Sequence, residues 1–157
     1  MLDASTFRSV LGRLASGVSV VTTVGPGGKD HGMTVTALCS LSLDPPLVLA
    51  CVAHTATLYP LLADASHFAV SILALGQEAI ARRFAETRDD KFDGIEHDRG
   101  EHGCALLAGA LAHLECATWA RHPGGDHTIV VGQVLRAAAR EAAPLVYHRG
   151  AYSGLAP

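Results

Sequence analysis

From Thr34 to Leu43 apolar side chains alternate with hydroxyl-bearing ones, except at Leu38. Val35, Ala37, Cys39, Leu41 and Leu43 interleave with Thr34, Thr36, Leu38, Ser40 and Ser42. A period of two places successive side chains on opposite faces of a pleated strand, so this stretch predicts one strand with an apolar face and a hydroxyl-dotted face. Asp44-Pro45-Pro46 ends it. Residues 47–53 then form an unbroken apolar run, the pattern of a strand buried on both sides. Upstream, the β-branched residues 18–24 lead through Gly25-Pro26-Gly27-Gly28-Lys29-Asp30, a turn that returns the chain antiparallel.

Further strands are predicted at 68–73, at 111–119 and 127–136 around the turn His122-Pro123-Gly124-Gly125-Asp126, and at 144–148. Helical spacing marks Phe7, Val10, Leu11 and Leu14, with Ser5 as N-cap and Gly17 as stop. Short helices are expected at 57–63, capped by Thr55 or Thr57, and at 77–84. The polar stretch 89–103 reads as a long surface loop and 150–154 as a tail. Six or so strands joined mostly by hairpins, with few helices, predict a mainly β fold: an antiparallel barrel with helices packed outside. A length of 157 residues suits one domain spanning the whole chain.

Composition removes several function classes. Hydrophobic residues make up 49% of the chain and charged residues 17%, the reverse of a disordered composition. No apolar run approaches the roughly 20 residues of a membrane span. Twelve basic against fifteen acidic residues, without a basic stripe, argue against nucleic acid as a partner. The high apolar share suits a chain that buries surface in a homo-oligomer. The first residues lack the basic start and apolar core of a secretory leader, and the cysteines at 39, 51, 104 and 116 form no Cys-x-x-Cys. The expectation is reduced core thiols in a cytoplasmic protein, with a disulfide pair as the alternative.

The glycine-rich turn at 25–30 is no phosphate loop, because Asp30 follows Lys29 and a strand follows the turn. No Gly-x-Gly-x-x-Gly follows a strand, and Gly-x-Ser-x-Gly is absent. The pairs His97/His102 and His122/His127 are five apart, a spacing that suits metal ligands on neither helix nor strand, so no metal is expected. No nucleophile or general base stands out, and hydride transfer between two cofactors requires neither. Two features suggest a ligand. Thr34, Thr36, Ser40 and Ser42 on one strand face, with Thr55 and Thr57 at a helix start, could hold a phosphate, with Arg82 or Arg83 as counter-charge. The competing explanation is that threonine simply favours exposed strand faces and caps. His127 sits at the mouth of a strongly apolar strand, where a polar side chain can face a ligand.

Several stretches together resemble the flavin reductase-like family. They are Val18-Ser-Val-Val-Thr-Thr23, Gly32-Met-Thr-Val-Thr-Ala-Leu-Cys-Ser-Leu-Ser-Leu-Asp-Pro-Pro-Leu-Val-Leu49, Phe68-Ala-Val-Ser-Ile-Leu73, Arg83-Phe-Ala85, Asp90-Lys-Phe92, Gly125-Asp-His-Thr-Ile-Val-Val-Gly132 and Pro144-Leu-Val-Tyr-His-Arg-Gly-Ala-Tyr152. The resemblance runs from about Phe7 to Tyr152. It implies an FMN-binding split β-barrel with a few peripheral helices, a homodimer, and an NAD(P)H-dependent flavin reductase using FMN or FAD and supplying reduced flavin to a separate monooxygenase. The alternatives are a flavoprotein that reduces another acceptor and a non-catalytic flavin-binding module. By the same resemblance, Met33, Thr34, Val35, Thr36 and Ala37 run along the isoalloxazine edge, and Ser40 and Ser42 lie near the ribityl chain. Cys51, Ala53, Thr55, Ala56 and Thr57 match the loop that holds the phosphate, with Arg82 or Arg83 and Lys91 as cationic partners of that phosphate or of an adenylate. His127 matches the histidine beside flavin and nicotinamide, and Tyr152 an aromatic near the same site, from this or the partner subunit. Relatives often carry serine where Ala56 stands.

Overall fold

A computed structural model describes residues 2–155. In chain order its elements are α1 (Ala4–Leu11), β1 (Ser16–Gly17), β2 (Ser19–Val24), β3 (Asp30–Val35), β4 (Leu38–Leu43), β5 (Pro46–Ala53), α2 (Tyr59–Asp64), β6 (His67–Ile72), α3 (Glu78–Ala85), β7 (His97–Arg99), β8 (Ala105–Leu107), β9 (Ala112–Gly124), β10 (His127–Ala139), β11 (Val146–His148) and β12 (Ala151–Ser153).

The alternating stretch 32–43 is two strands rather than one. Seven strands pair antiparallel in the order β3-β2-β6-β9-β10-β5-β4, which puts β3 and β4 at opposite edges although only Thr36 and Ala37 separate them. A flat sheet would hold those edges about 29 Å apart, at roughly 4.8 Å per strand spacing. The chain from Val35 to Leu38 reaches about 11 Å at most. The sheet must therefore curl until its edges meet, and the result is an antiparallel split barrel. The Cys51 N–H donates to the Ala37 carbonyl at 3.0 Å, tying the crossing segment to β5.

The barrel interior is filled by Val21, Val35, Val48, Ala50, Val52, Phe68, Val70, Cys116 and Val130, with Leu58 and Leu62 closing one end. A β-carbon on Gly132 would come within 2.4 Å of the Phe68 ring edge, so the bare backbone there, beside a β-bulge, is what admits the phenyl group. A second apolar cluster, including Val18, Leu73, Ala81, Phe84 and Leu107, packs α3 on the outside of the sheet.

Other expectations change in detail. Asp3, not Ser5, caps α1, accepting from the N–H groups of Ser5 and Thr6 at 2.9 Å, and α1 ends at Leu11 before Gly12. The helix expected from Thr57 begins at Tyr59 with no capping side chain, so neither Thr55 nor Thr57 caps it. β5 is not buried on both sides: Val48, Ala50 and Val52 are buried and the residues between them half-buried. The polar stretch 89–103 contains β7, which pairs with β8, and the expected tail contains β12. The ladder of β9 and β10 continues through Pro123, leaving Gly125-Asp126 as the turn. All four cysteines are free, but only Cys104 and Cys116 are buried. Cys39 is exposed because the outer face of the edge strand β4 is uncovered, with Leu43 at 95% exposure.

Candidate active site

Barrel closure brings β4, β5 and β10 side by side, and the register decides which side chains share a face. In the β5–β10 ladder Ala53 lies opposite His127 and Cys51 opposite Ile129. Directly opposed residues point the same way. Because Val48, Ala50 and Val52 point inward, Cys51, Ala53 and His127 point outward. Ala37, hydrogen-bonded to Cys51, continues this outer face. The floor so formed carries the small side chains of Ala37, Cys51 and Ala53, with Ile129 beside Cys51 on β10, and His127 stands at its end. β3 and β4 are edge strands, each paired on one side within the seven-stranded sheet. Their backbone N–H and C=O groups on the other side have no ladder partner there.

His127 is 43% exposed at its side chain, and its Nδ1 lies 2.7 Å from Asp126 Oδ1. That hydrogen bond holds the Asp126 carboxyl below the usual carboxylate range. It also orients the ring so that Nε2 is the nitrogen left to act. The turn is fastened to the end of β5 through the His54 N–H, which donates to the Asp126 carbonyl at 3.0 Å. The His54 ring lies 4.7 Å from the Tyr59 ring, and its Nε2 is 3.0 Å from Thr128 Oγ1.

At the other end of the site, beyond Thr57, are the cations. Lys91 is buried at 7% exposure, and its Nζ donates to the carbonyls of Gly32 at 3.2 Å and Phe84 at 3.1 Å. Among the described residues it has no carboxylate partner. Burial pushes its pKa down. Arg83 donates to the carbonyls of Lys91, Asp90 and Asp93, at 2.8, 2.6 and 2.7 Å, and so clamps the segment that carries Lys91. Arg82 pairs with Glu78 at 2.6 Å and lies 5.0 Å over the Tyr152 ring.

Residues 11–156 match the flavin reductase like domain. The chain belongs to this family. It is 42% identical over 151 residues to an NADH-dependent FMN reductase of Agrobacterium fabrum, covering 96% of this chain and 85% of that protein. Its fold superposes, with a TM-score of 0.94 at 41% identity, on a Streptomyces globisporus NADH:FAD oxidoreductase in complex with NAD and FAD fragments. That match covers 99% of this chain and 94% of the other. A bacterial relative described as the flavin reductase component of a two-component tryptophan halogenase superposes with a TM-score of 0.89 at 40% identity, covering 98% of both chains.

The flavin reductase fold separates residues that the hydroxyl pattern had grouped. The Thr34 hydroxyl donates to the Ala81 carbonyl at 2.6 Å and so anchors α3. Val35 is in the core and Met33 packs against it. Ser40 and Ser42 straddle a β-bulge, with Ser40 exposed and Ser42 half-buried. Thr36 is half-buried in the crossing segment. Thr55 and Thr57 are exposed in the turn before α2, while Ala56 packs against the core. Within this chain Tyr152 lies with Arg82 and Tyr147, on the α3 side. The residues present fit a flavin: an apolar floor for a tricyclic ring, free edge-strand backbone for its polar rim, and a buried ammonium with no carboxylate partner among the described residues for its phosphate. Asp126 and His54 were not singled out from sequence. Asp126 directly precedes His127 and carried a signal, but His54 became visible only through the register of β5 against β10.

Proposed function

We propose that this flavin reductase-like chain oxidises a reduced nicotinamide, passes the hydride to FMN or FAD, and releases reduced flavin to a separate oxygenase. The observation that carries the reading is the shared outward face of Ala37, Cys51, Ala53 and His127. A bound flavin supplies the hydride acceptor. The chain's residues supply position and charge. The apolar floor of Ala37, Cys51, Ala53 and Ile129 lets a planar ring lie flat and leaves its other face open to a reduced pyridine. Edge-strand amides of residues 33–37 meet the ring's polar rim, and Lys91 meets the phosphate. His127, steadied by Asp126 on Nδ1, holds the nicotinamide by a hydrogen bond that Nε2 accepts from its carboxamide. Such orientation is what a hydride transfer needs from its protein, since no proton abstraction or covalent step is required.

The name of the Agrobacterium relative supports NADH as donor, and the halogenase component supports delivery of reduced flavin to a partner. The active form is a homodimer of single-domain chains. Leu43 and Trp119, 95% and 56% exposed, support a further buried interface. Free cysteines support reducing, cytoplasmic surroundings. No helix among the described residues is long and apolar enough to cross a membrane. The test is anaerobic mixing of the protein with FMN or FAD and with NADH or NADPH, followed by the flavin absorption. Bleaching with NADH supports the reading, and bleaching with neither nicotinamide removes it.

A further inference from the structure

The hairpin of β11 and β12 turns through Arg149 and Gly150, both at positive φ, 51° and 82°. A two-residue turn of that kind favours Asn-Gly or Gly-Gly, because a longer side chain crowds the backbone in the left-handed region. Among the described residues Arg149 is the one non-glycine with a positive φ. Its conformation is held from outside the turn. The Arg149 N–H donates to the Gly12 carbonyl at 2.8 Å, and the Gly12 N–H donates in turn to the Arg8 carbonyl at 2.8 Å. These two bonds fix the end of α1 against the hairpin, and so fix the backbone of Arg8 relative to that of Arg149.

Both arginines line a cavity of about 480 Å3, together with Ser9, Gly12, Tyr147 and Gly150. Neither guanidinium has a carboxylate partner among the described residues. Every other arginine except Arg13 is engaged by a carboxylate or a backbone carbonyl. Arg8 by itself is accounted for by the helix, since a cation in the last turn suits the dipole of α1. Arg149 has no such reason to be there. A strained backbone at a residue with an unpaired charge points to function. Two like charges on one cavity are relieved by an anion that reaches both, and a guanidinium fork matches a carboxylate. Tyr147 is half-buried and its ring packs 5.1 Å from that of Tyr152, which gives the cavity a fixed aromatic wall. No residue of this lining belongs to the floor beside His127 or to the Lys91 end.

We propose that the cavity binds an aromatic carboxylate, its carboxyl group between Arg8 and Arg149 and its ring against Tyr147. The assignment is independent of the hydride-transfer reading. Calorimetry of the full chain tests it, with benzoate, cyclohexanecarboxylate and inorganic phosphate as probes, each with and without saturating FMN. Benzoate should bind at one site per chain, more tightly than the other two, and FMN should leave its affinity unchanged. Arg8→Gln and Arg149→Asn should each weaken benzoate by about tenfold or more, the worth of one charge-assisted contact. Tyr147→Leu should remove the preference for benzoate over cyclohexanecarboxylate. Arg149→Asn should also raise the urea midpoint, because asparagine suits the turn. A stability gain paired with a loss of binding is a result that a merely structural Arg149 does not give, and a lowered midpoint overturns the argument from strain. No uptake of benzoate overturns the proposal, as does binding that survives both arginine substitutions or that FMN abolishes. Phosphate binding as tightly as benzoate overturns the aromatic class of ligand.

Discussion

At the Lys91 end of the site, cations are held by backbone carbonyls. Lys91 is buried against Gly32 and Phe84, and Arg83 grips three further carbonyls of the segment that carries it. At the His127 end, the hydrogen-bonded pair Asp126 and His127 stands in solvent at a two-residue turn, joined to the end of β5 by the His54 amide. The first arrangement cannot move without leaving acceptors unpaired. The second can adjust its ring at little cost. A phosphate that must be fixed suits the first end, and a nicotinamide that must arrive and leave suits the second. Stability and flavin affinity should therefore be coupled at Lys91 and uncoupled at His127.

The strongest way to break this contrast is Lys91→Met. It should weaken flavin binding by roughly 10–100-fold and lower unfolding stability by about 1–3 kcal/mol, because two carbonyls lose their donor. Titration and urea unfolding of the same sample check both effects. Unchanged stability would show that the ammonium is not structural. His127→Ala should lower kcat/KM for NADH by about tenfold, the loss of one hydrogen bond to substrate, with flavin Kd within about twofold and stability unchanged. Equal losses in flavin affinity and turnover would place His127 at the flavin instead. Arg83→Ala should cost about 1 kcal/mol and loosen the segment around Lys91, visible as faster amide exchange there.

The smallest expected effects are in pH dependence. The pKa of Lys91 is lowered by burial, so in the free protein it loses its proton at a lower pH than an exposed lysine. The unfolded chain holds that proton more tightly, so this group's contribution to stability rises with pH through its lowered pKa. Flavin affinity runs the other way: it falls over the same window as the ammonium disappears, and Lys91→Met should erase that alkaline limb. The Asp126 pKa is lowered as well, but by a hydrogen bond that favours its charged form. Its contact with His127 is present at neutral pH and is lost only as pH falls below the ordinary carboxylate range. Asp126→Asn should therefore lower turnover about two- to threefold near neutrality without moving flavin affinity. The pH profile of kcat/KM against that of flavin Kd separates the two ends.

Local pattern revealed much of the architecture. Period-two alternation, Gly/Pro turns and short amphipathic runs located most strands and α3. The same pattern misread residues 32–43, because alternation reports which way side chains point and not whether the chain stays with one neighbour. It also grouped Thr34 with Ser40 and Ser42, whereas Thr34 bonds the Ala81 carbonyl of α3. Arg83 looked like a ligand cation, and the structure shows its guanidinium engaged by three carbonyls that no sequence spacing announces. His127 and Lys91 were legible as candidates from the stretches Gly125-Asp-His-Thr-Ile-Val-Val-Gly132 and Asp90-Lys-Phe92.

The order of residues was enough to decide that this chain is mainly antiparallel β, that it matches flavin reductases, and that His127 stands at the mouth of a strand. Those properties depend on neighbours a few positions apart. Only closure of the barrel decided that Ala37, Cys51, Ala53 and His127 share an outer face, and that Lys91 is buried with no carboxylate partner among the described residues. Such facts depend on strand register and on contacts between residues far apart in the chain, and neither leaves a periodic trace.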